Sequence, residues 1–331
     1  MAAPQRIVMM GTGTFARPTF EALLAHSPFE VVGLVTQPDR DAGQVRGSTR
    51  QTGPSLKEIA GERGVPVCQP DSINTPEGVG QLKGWQPDLL VVAAYGQILK
   101  ADVLAAARQG GINVHGSLLP KYRGAAPVAW AILRGETKTG VTIIRMTTGL
   151  DAGAMLAQEA IDIQPDETAG DLEARLAPVG ARLAVRAAEE VLAGTTKGEA
   201  QDPAQVTKAP KLKKEDGLID WSQPAEQVCR QVRAMQPWPT AYTWLHQDGK
   251  PPLRLAVQRA VTAAVPEGVD VATPGHMLPA DGPEPQVTVA AVGGAVKVLE
   301  LQPAGKRRMM AAEFLRGRHL QPGDRFGAEG D

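Results

Sequence analysis

Cysteine is nearly missing from this chain. Cys68 and Cys229 are the only two in 331 residues, and they lie far apart. Such a pair reads as small buried or half-buried thiols in a reducing cytosol, not as a disulfide or a metal pair. No cluster of Cys and His has zinc spacing, so no metal is expected. Long apolar runs are missing too. None approaches the ~20 residues needed to span a membrane, and the run at Arg6–Met10 is too short for a secretory signal. Charge of one sign is not in excess, since 35 Lys and Arg oppose 36 Asp and Glu. That balance argues against a protein that coats nucleic acid, yet it leaves room for a local basic patch that holds one RNA end. A cytoplasmic protein is expected.

What remains is 43% hydrophobic, ample for a core, over a length that favours two domains. The first half alternates strand and helix signals. Strands are predicted over 6–10, 30–36, 66–69, 88–94, 112–115 and 141–146, with one more over 155–163. Helices are predicted over 17–26, 55–63, 76–83, 125–134 and 171–193. The segment at 88–94, Asp-Leu-Leu-Val-Val-Ala-Ala, is apolar almost throughout, as in a parallel-sheet strand covered on both faces. The fold class expected is α/β, a Rossmann-like doubly wound and mostly parallel sheet over 1–194. A polar, lysine-bearing linker with Pro203 and Pro210 follows over 195–220. From Trp221 come a helix over 225–234, a Pro/Trp corner, and β-rich segments at 253–260, 286–291 and 295–301. These suggest a small β-barrel over 221–326, with a frayed, Gly-rich tail after Asp324.

Gly11-Thr12-Gly13-Thr14-Phe15 invites comparison with a dinucleotide fingerprint. The third glycine is missing, and Thr36-Gln37-Pro38 stands where an acidic residue should end the second strand. The motif therefore reads as a tight strand-to-helix turn, and a nicotinamide-dependent dehydrogenase is a distant alternative. More informative is Gly111-Ile112-Asn113-Val114-His115-Gly116, with Thr148-Gly149-Leu150-Asp151-Ala152-Gly153 downstream. Side chains alternate along a strand, so Asn113 and His115 share one face with Cα atoms about 6.5–7 Å apart. An amide donor, an imidazole and a carboxylate at strand ends suit moving an acyl group between nitrogens or oxygens.

Those motifs, with Thr36-Gln37-Pro38-Asp39-Arg40, Val92-Ala93-Ala94-Tyr95-Gly96, Ser117-Leu118-Leu119-Pro120 and Arg123-Gly124-Ala125-Ala126-Pro127, run in a familiar order. Ile219-Asp220-Trp221, Pro237-Trp238-Pro239 and Gln302-Pro303-Ala304-Gly305-Lys306 extend the match over nearly the whole chain. The chain resembles the 10-formyltetrahydrofolate-dependent formyltransferases, and among them the branch acting on methionyl-tRNA. The resemblance implies a Rossmann-like catalytic domain, a connector and a C-terminal OB-type barrel that contacts tRNA. It implies 10-formyltetrahydrofolate as co-substrate and initiator methionyl-tRNA as acceptor. A monomer is expected.

By position, Asn113, His115 and Asp151 match the family's catalytic trio. Asn113 suits donation to a tetrahedral oxyanion. His115 suits hydrogen bonding to the same oxygen or proton transfer, and Asp151 suits orienting His115 or taking the amine proton. Which of the last two is the working base stays open. A histidine satisfied by a carboxylate for structure alone is the bland alternative. The resemblance assigns the folate pocket to Tyr95, Gly96, Gln97, Ile98 and Leu99, with Ser117, Leu118, Leu119 and Pro120. It assigns tRNA contact to the long 37–54 loop through Arg40, Arg46 and Arg50, to Lys211, Lys213 and Lys214 of the linker, and to Lys306 and Arg307 of the barrel. Solvated surface is the competing reading for each charge cluster. An amino-sugar nucleotide or glycinamide ribonucleotide as acceptor is the second enzyme reading, and an RNA-binding protein on the same fold is the third.

Overall fold

The computed structural model describes residues 3–39, 53–265, 273–279, 286–321 and 323–330. Arg40, Arg46 and Arg50 lie outside the described residues. The chain divides into two compact units. One comprises Met1–Ala131, Thr137–Gln164 and Gly170–Lys211; the other comprises Ile132–Glu136, Pro165–Ala169 and Leu212–Asp331.

In chain order the first unit is built from β1 (Gln5–Gly11), α1 (Gly13–Ala25), β2 (Phe29–Val35), α2 (Leu56–Glu62) and β3 (Val67–Cys68). Then come α3 (Pro76–Trp85), β4 (Leu89–Ala93), α4 (Ala101–Leu104), β5 (Gly111–His115), β6 (Arg123–Gly124) and α5 (Pro127–Leu133). It ends with β7 (Lys138–Arg145), β8 (Met155–Asp162), α6 (Ala169–Leu192) and β9 (Lys208–Ala209). The sheet order is β3-β2-β1-β4-β5-β7-β8. The first five strands run parallel; β7 runs antiparallel to β5, and β8 to β7. All five residues of β4 are buried, as its apolar run requires.

Local chemistry sets the helix starts. Ser55 and Glu58 form a reciprocal capping box at the head of α2. Thr75 caps α3, with Pro76 in its first turn and Gln86 in the left-handed conformation at its end. Helix α1 begins at Gly13, earlier than the predicted 17. Gly13 has φ +77, so the chain turns from β1 straight into the helix, and Pro18 falls inside it.

The second unit carries α7 (Ala225–Ala234), β10 (Tyr242–His246), β11 (Leu253–Ala263), β12 (Val287–Ala291), β13 (Gly294–Pro303), β14 (Met309–Met310), α8 (Ala311–Gly317) and β15 (Arg325–Gly327). The antiparallel order is β12-β13-β11-β10-β15, with β14 on β13. Bridges from His276 to Arg325 and from Met277 to Val289 join the two edges, so the sheet is a nearly closed barrel. Leu255, Val257, Val289, Val296 and Leu301 are buried on its strands, and α7 packs on β11 and β13. Trp221 is 4% exposed, donates Nε1–H to Thr243 Oγ1 at 3.0 Å and meets the Phe326 ring at 6.0 Å. The tail expected to fray after Asp324 instead forms β15, which pairs with β10. The backbone hydrogen bonds available at a barrel edge outweigh its glycine content.

Among the described residues, no helix is long and apolar enough to cross a membrane. Residues 195–211, read from sequence as the start of a linker, cluster with the first unit. There β9 pairs in parallel with β6.

Candidate active site

The strand order reverses between β1 and β4, the position where open α/β sheets leave a crevice beyond their carboxyl ends. Gly11 ends β1 beside Ala93, and a Cβ there would come within 2.8 Å of the Ala93 carbonyl. Beyond β4 the chain turns through two left-handed residues, Ala94 at φ +47 and Gly96 at φ +82. Tyr95 and Leu99 are buried. Gln37 Nε2 donates to the Tyr95 carbonyl at 2.9 Å, and Asn74 Nδ2 to the Ile98 carbonyl at 2.9 Å. Gln97 turns inward, its Oε1 accepting from Ile73 N at 3.0 Å. Ile98 is left outward, 66% exposed. Leu150, beside Asp151, is 58% exposed.

Strand β5 places Asn113 and His115 on one face, as alternation requires, and Asp151 reaches both. Asn113 Nδ2 lies 3.4 Å from Asp151 Oδ1, and His115 Nδ1 lies 3.7 Å from Asp151 Oδ2. His115 is 5% exposed. Its Nε2 lies 2.9 Å from the Tyr122 carbonyl. A carbonyl oxygen only accepts, so Nε2 carries a proton and Nδ1 is the nitrogen turned toward the carboxylate. The group that orients the ring is thus the Tyr122 carbonyl. Asp151 is too far for a direct hydrogen bond to Nδ1, and its Oδ2 accepts instead from the Gly124 backbone N–H at 2.9 Å.

Asp151 itself has φ +48, uncommon for a residue with a side chain and costing on the order of 1–3 kcal/mol. Its loop is held by contacts that the sequence did not reveal. Gln201 Nε2 donates to the Asp151 carbonyl at 2.7 Å and to the Gly153 carbonyl at 2.8 Å. The 117–120 segment is held by Thr142, wholly buried. Thr142 Oγ1 donates to the Ser117 carbonyl at 2.7 Å and accepts from Leu119 N at 3.1 Å. Gln158 Nε2 spans the Leu119 carbonyl and Thr142 Oγ1, at 3.0 and 2.9 Å. Ser117 Oγ donates to the Lys121 carbonyl, and Leu119 is buried, while Leu118 and Pro120 are half-buried. Thr142 lies in the almost wholly buried β7, Gln158 in the alternating β8 and Gln201 in a polar stretch, so no local motif marks them.

A formyl transferase family model matches residues 5–188, and a formyl transferase C-terminal domain model matches residues 211–319. A methionyl-tRNA formyltransferase of Geobacter sulfurreducens is 44% identical over 325 residues, covering 98% of each chain. One from Bacillus subtilis is 39% identical over 328 residues, covering 98% of this chain and 99% of its own. The chain belongs to the methionyl-tRNA formyltransferase family. The fold is shared more widely. WlaRD, a sugar 3N-formyl transferase crystallised with dTDP and 5-N-formyl-THF, superposes with TM-score 0.63 at 16% identity, over 92% of this chain and 100% of its own. HypX from Aquifex aeolicus, in complex with tetrahydrofolic acid, superposes with TM-score 0.57 at 17% identity, over 95% of this chain and 47% of its own.

The cations expected to face tRNA in a member of this family differ in their surroundings. Lys211, Lys213 and Lys214 are exposed, as are Lys306 and Arg307. Arg307 pairs with Glu313, and its neighbour Arg308 with Glu300. Each pair engages part of a guanidinium that carries five N–H donors, which leaves others for phosphate. Arg123, half-buried, donates from Nε and one Nη to Gln201 Oε1 at 3.0 and 2.8 Å.

Proposed function

We propose that the protein transfers the formyl group of 10-formyltetrahydrofolate to the α-amine of methionine carried on initiator tRNA. The observation that carries this reading is the gathering of Asn113, His115 and Asp151 at the end of β5, in a chain that aligns end to end with methionyl-tRNA formyltransferases. The esterified amine has a pKa at or below the ~7.7–8.0 of a peptide amine, so much of it is neutral near pH 7.5. It attacks the formyl carbon, and the carbonyl oxygen becomes an oxyanion. The Asn113 amide, held among the described residues by one long 3.4 Å contact, turns its N–H to that oxygen. Asp151 takes the proton the amine must lose, its carboxylate steadied by the Gly124 N–H. His115, protonated on Nε2, offers Nδ1 to the same proton traffic. Collapse breaks the bond from the formyl carbon to the folate nitrogen, which leaves with a proton.

Tyr95–Leu99 and Ser117–Pro120 line the folate pocket in this reading. Because Ser117 and Leu119 are turned inward and their backbone groups are engaged by Thr142 and Gln158, the half-buried Leu118 and Pro120 offer the pocket their side chains. Exposed Ile98 and Leu150 supply the apolar surface a flat pterin requires. The lysines at 211, 213 and 214, with Lys306 and the 37–54 loop, meet the tRNA backbone. The barrel, with the connector before it, serves as the tRNA-contacting domain. The protein acts as a cytoplasmic monomer.

The test is a formyl-transfer assay with charged initiator tRNA, charged elongator tRNA and an amino-sugar nucleotide as competing acceptors. Formylation of the initiator tRNA well above the others is expected. Transfer to the sugar nucleotide alone, or to no acceptor, overturns the reading.

A further inference from the structure

We propose that Gln201 is a positioning residue for the formyl transfer, holding Asp151 in its left-handed conformation. This rests on the assignment of Asp151 to the chemistry. The amide of Gln201 makes four hydrogen bonds: two from Nε2 to the carbonyls of Asp151 and Gly153, and two into Oε1 from Arg123. That uses its full capacity and fixes which way it points. A flipped amide sets N–H against the Arg123 guanidinium and oxygen against two carbonyls.

The side chain therefore joins two loops that must register with each other. One is the Asp151 turn. The other is Tyr122–Gly124, whose Gly124 N–H holds the Asp151 carboxylate and whose Tyr122 carbonyl holds His115. The segment carrying Gln201 is itself anchored on both sides. Glu199 bridges to Met155 through reciprocal backbone bonds of 2.8 Å. Thr207 receives the Arg123 N–H on its carbonyl at 2.9 Å and the Tyr122 N–H on Oγ1 at 2.8 Å. Three fixed points on 199–209 thus hold both halves of the site, and the middle one touches the backbone of the carboxylate residue itself. Asp151 has no side-chain bulk that locks φ +48, and its neighbours Leu150 and Ala152 are exposed. With the Gly124 N–H on its carboxylate, the bonds to its carbonyl and to that of Gly153 oppose relaxation of the turn. A shift of about 1 Å in a reacting group costs up to ~10²-fold in rate.

The experiment is a double-mutant cycle in single-turnover formyl transfer with charged initiator tRNA and 10-formyltetrahydrofolate. Gln201→Met removes all four bonds. Gln201→Glu keeps the Arg123 contact and loses both donors. Each is expected to lower the transfer rate about tenfold or more, with KM for 10-formyltetrahydrofolate changed less than about threefold. In an Asp151→Asn background the same Gln201 substitutions should change the rate less than about twofold, because the carboxylate they position is already gone. A merely structural tie predicts the same loss in both backgrounds. If either variant loses its cooperative melt, Arg123→Met, which leaves Gln201 in place but frees its amide to flip, takes its place in the cycle. Wild-type rates in the Gln201 variants, or equal losses in both backgrounds, overturn the proposal. Full activity of Asp151→Asn alone overturns instead the assignment on which it rests.

Discussion

Replacing Thr142 by valine tests how the site is held together. The two side chains have nearly the same shape, so the exchange removes a hydroxyl and leaves no cavity. In the native structure that hydroxyl donates to the Ser117 carbonyl and accepts from Leu119 N–H, in a position with no exposure to water. Gln158 Nε2 loses one partner but keeps the Leu119 carbonyl. Two backbone groups are therefore stranded. At ~1–3 kcal/mol for each buried unsatisfied group, the loss is about 2–6 kcal/mol. For a unit of this size that is a fall in Tm of at least about 4 °C. Thr142→Ser keeps the hydroxyl and loses a methyl group, worth about 1 kcal/mol. Valine should thus be the more damaging change, although it is the more hydrophobic. Urea melts of the three proteins measure the stability difference directly. Release of the 117–120 segment should also raise KM for 10-formyltetrahydrofolate several-fold in the valine variant. A valine protein as stable as wild type, or a serine protein less stable than the valine one, refutes the reasoning, because packing would then decide the position.

Three other outcomes follow from local geometry. Gly153→Ala sets a Cβ 1.6 Å from the Arg145 carbonyl, so the backbone must move. A stability loss of about 1–3 kcal/mol with a large drop in formyl transfer is expected, and normal activity counts against a role for this turn. Asp220 has its carboxyl held below the usual range, chiefly by the Ser222 hydroxyl and then by the Gln223 amide. A depressed folded value gives stability that is fully present above the unfolded pKa of ~3.9 and is lost as pH falls through the lower folded one. Asp220→Asn should therefore lower Tm at pH 6–8, with the gap from wild type narrowing as the pH falls below ~3.9; a gap that widens in acid contradicts the assignment. Burial pushes the Cys229 thiol up to about 11, so it should resist alkylation at pH 8 in the folded protein and react once urea unfolds it. Rapid labelling of the native protein goes against the burial.

Much of the fold was readable before any coordinates because the relevant signals are local and repeated. The nearly continuous apolar run at 88–94 announced a strand buried on both faces. Alternation alone put Asn113 and His115 on one side of β5. Strands β6, β9, β10, β14 and β15 were missed, and two of them have a justification that lies elsewhere in the chain. β15 sits in a glycine-bearing tail and exists because β10 offers it an edge. β9 has two residues and exists because β6 lies beside it. A segment of 199–209 with Pro203, Asp202 and several polar neighbours has a connector's composition. It became part of the site scaffold because its side chains and backbone meet polar groups that would otherwise be stranded.

The sequence by itself determined which chemistry is present. An amide, an imidazole and a carboxylate stand in glycine-bounded motifs that only strand ends and turns accommodate, and two periodicities divide the chain into a parallel α/β part and a barrel. Tertiary structure alone decided which atoms face which. It gave His115 its orientation through the Tyr122 carbonyl, tied the 117–120 segment to Thr142 and Gln158, and paired Arg123 with Gln201. The physical reason is range. Side-chain alternation and turn propensity act over a few residues, whereas satisfying a buried donor or acceptor takes whatever partner the completed fold brings near, here up to 85 positions away.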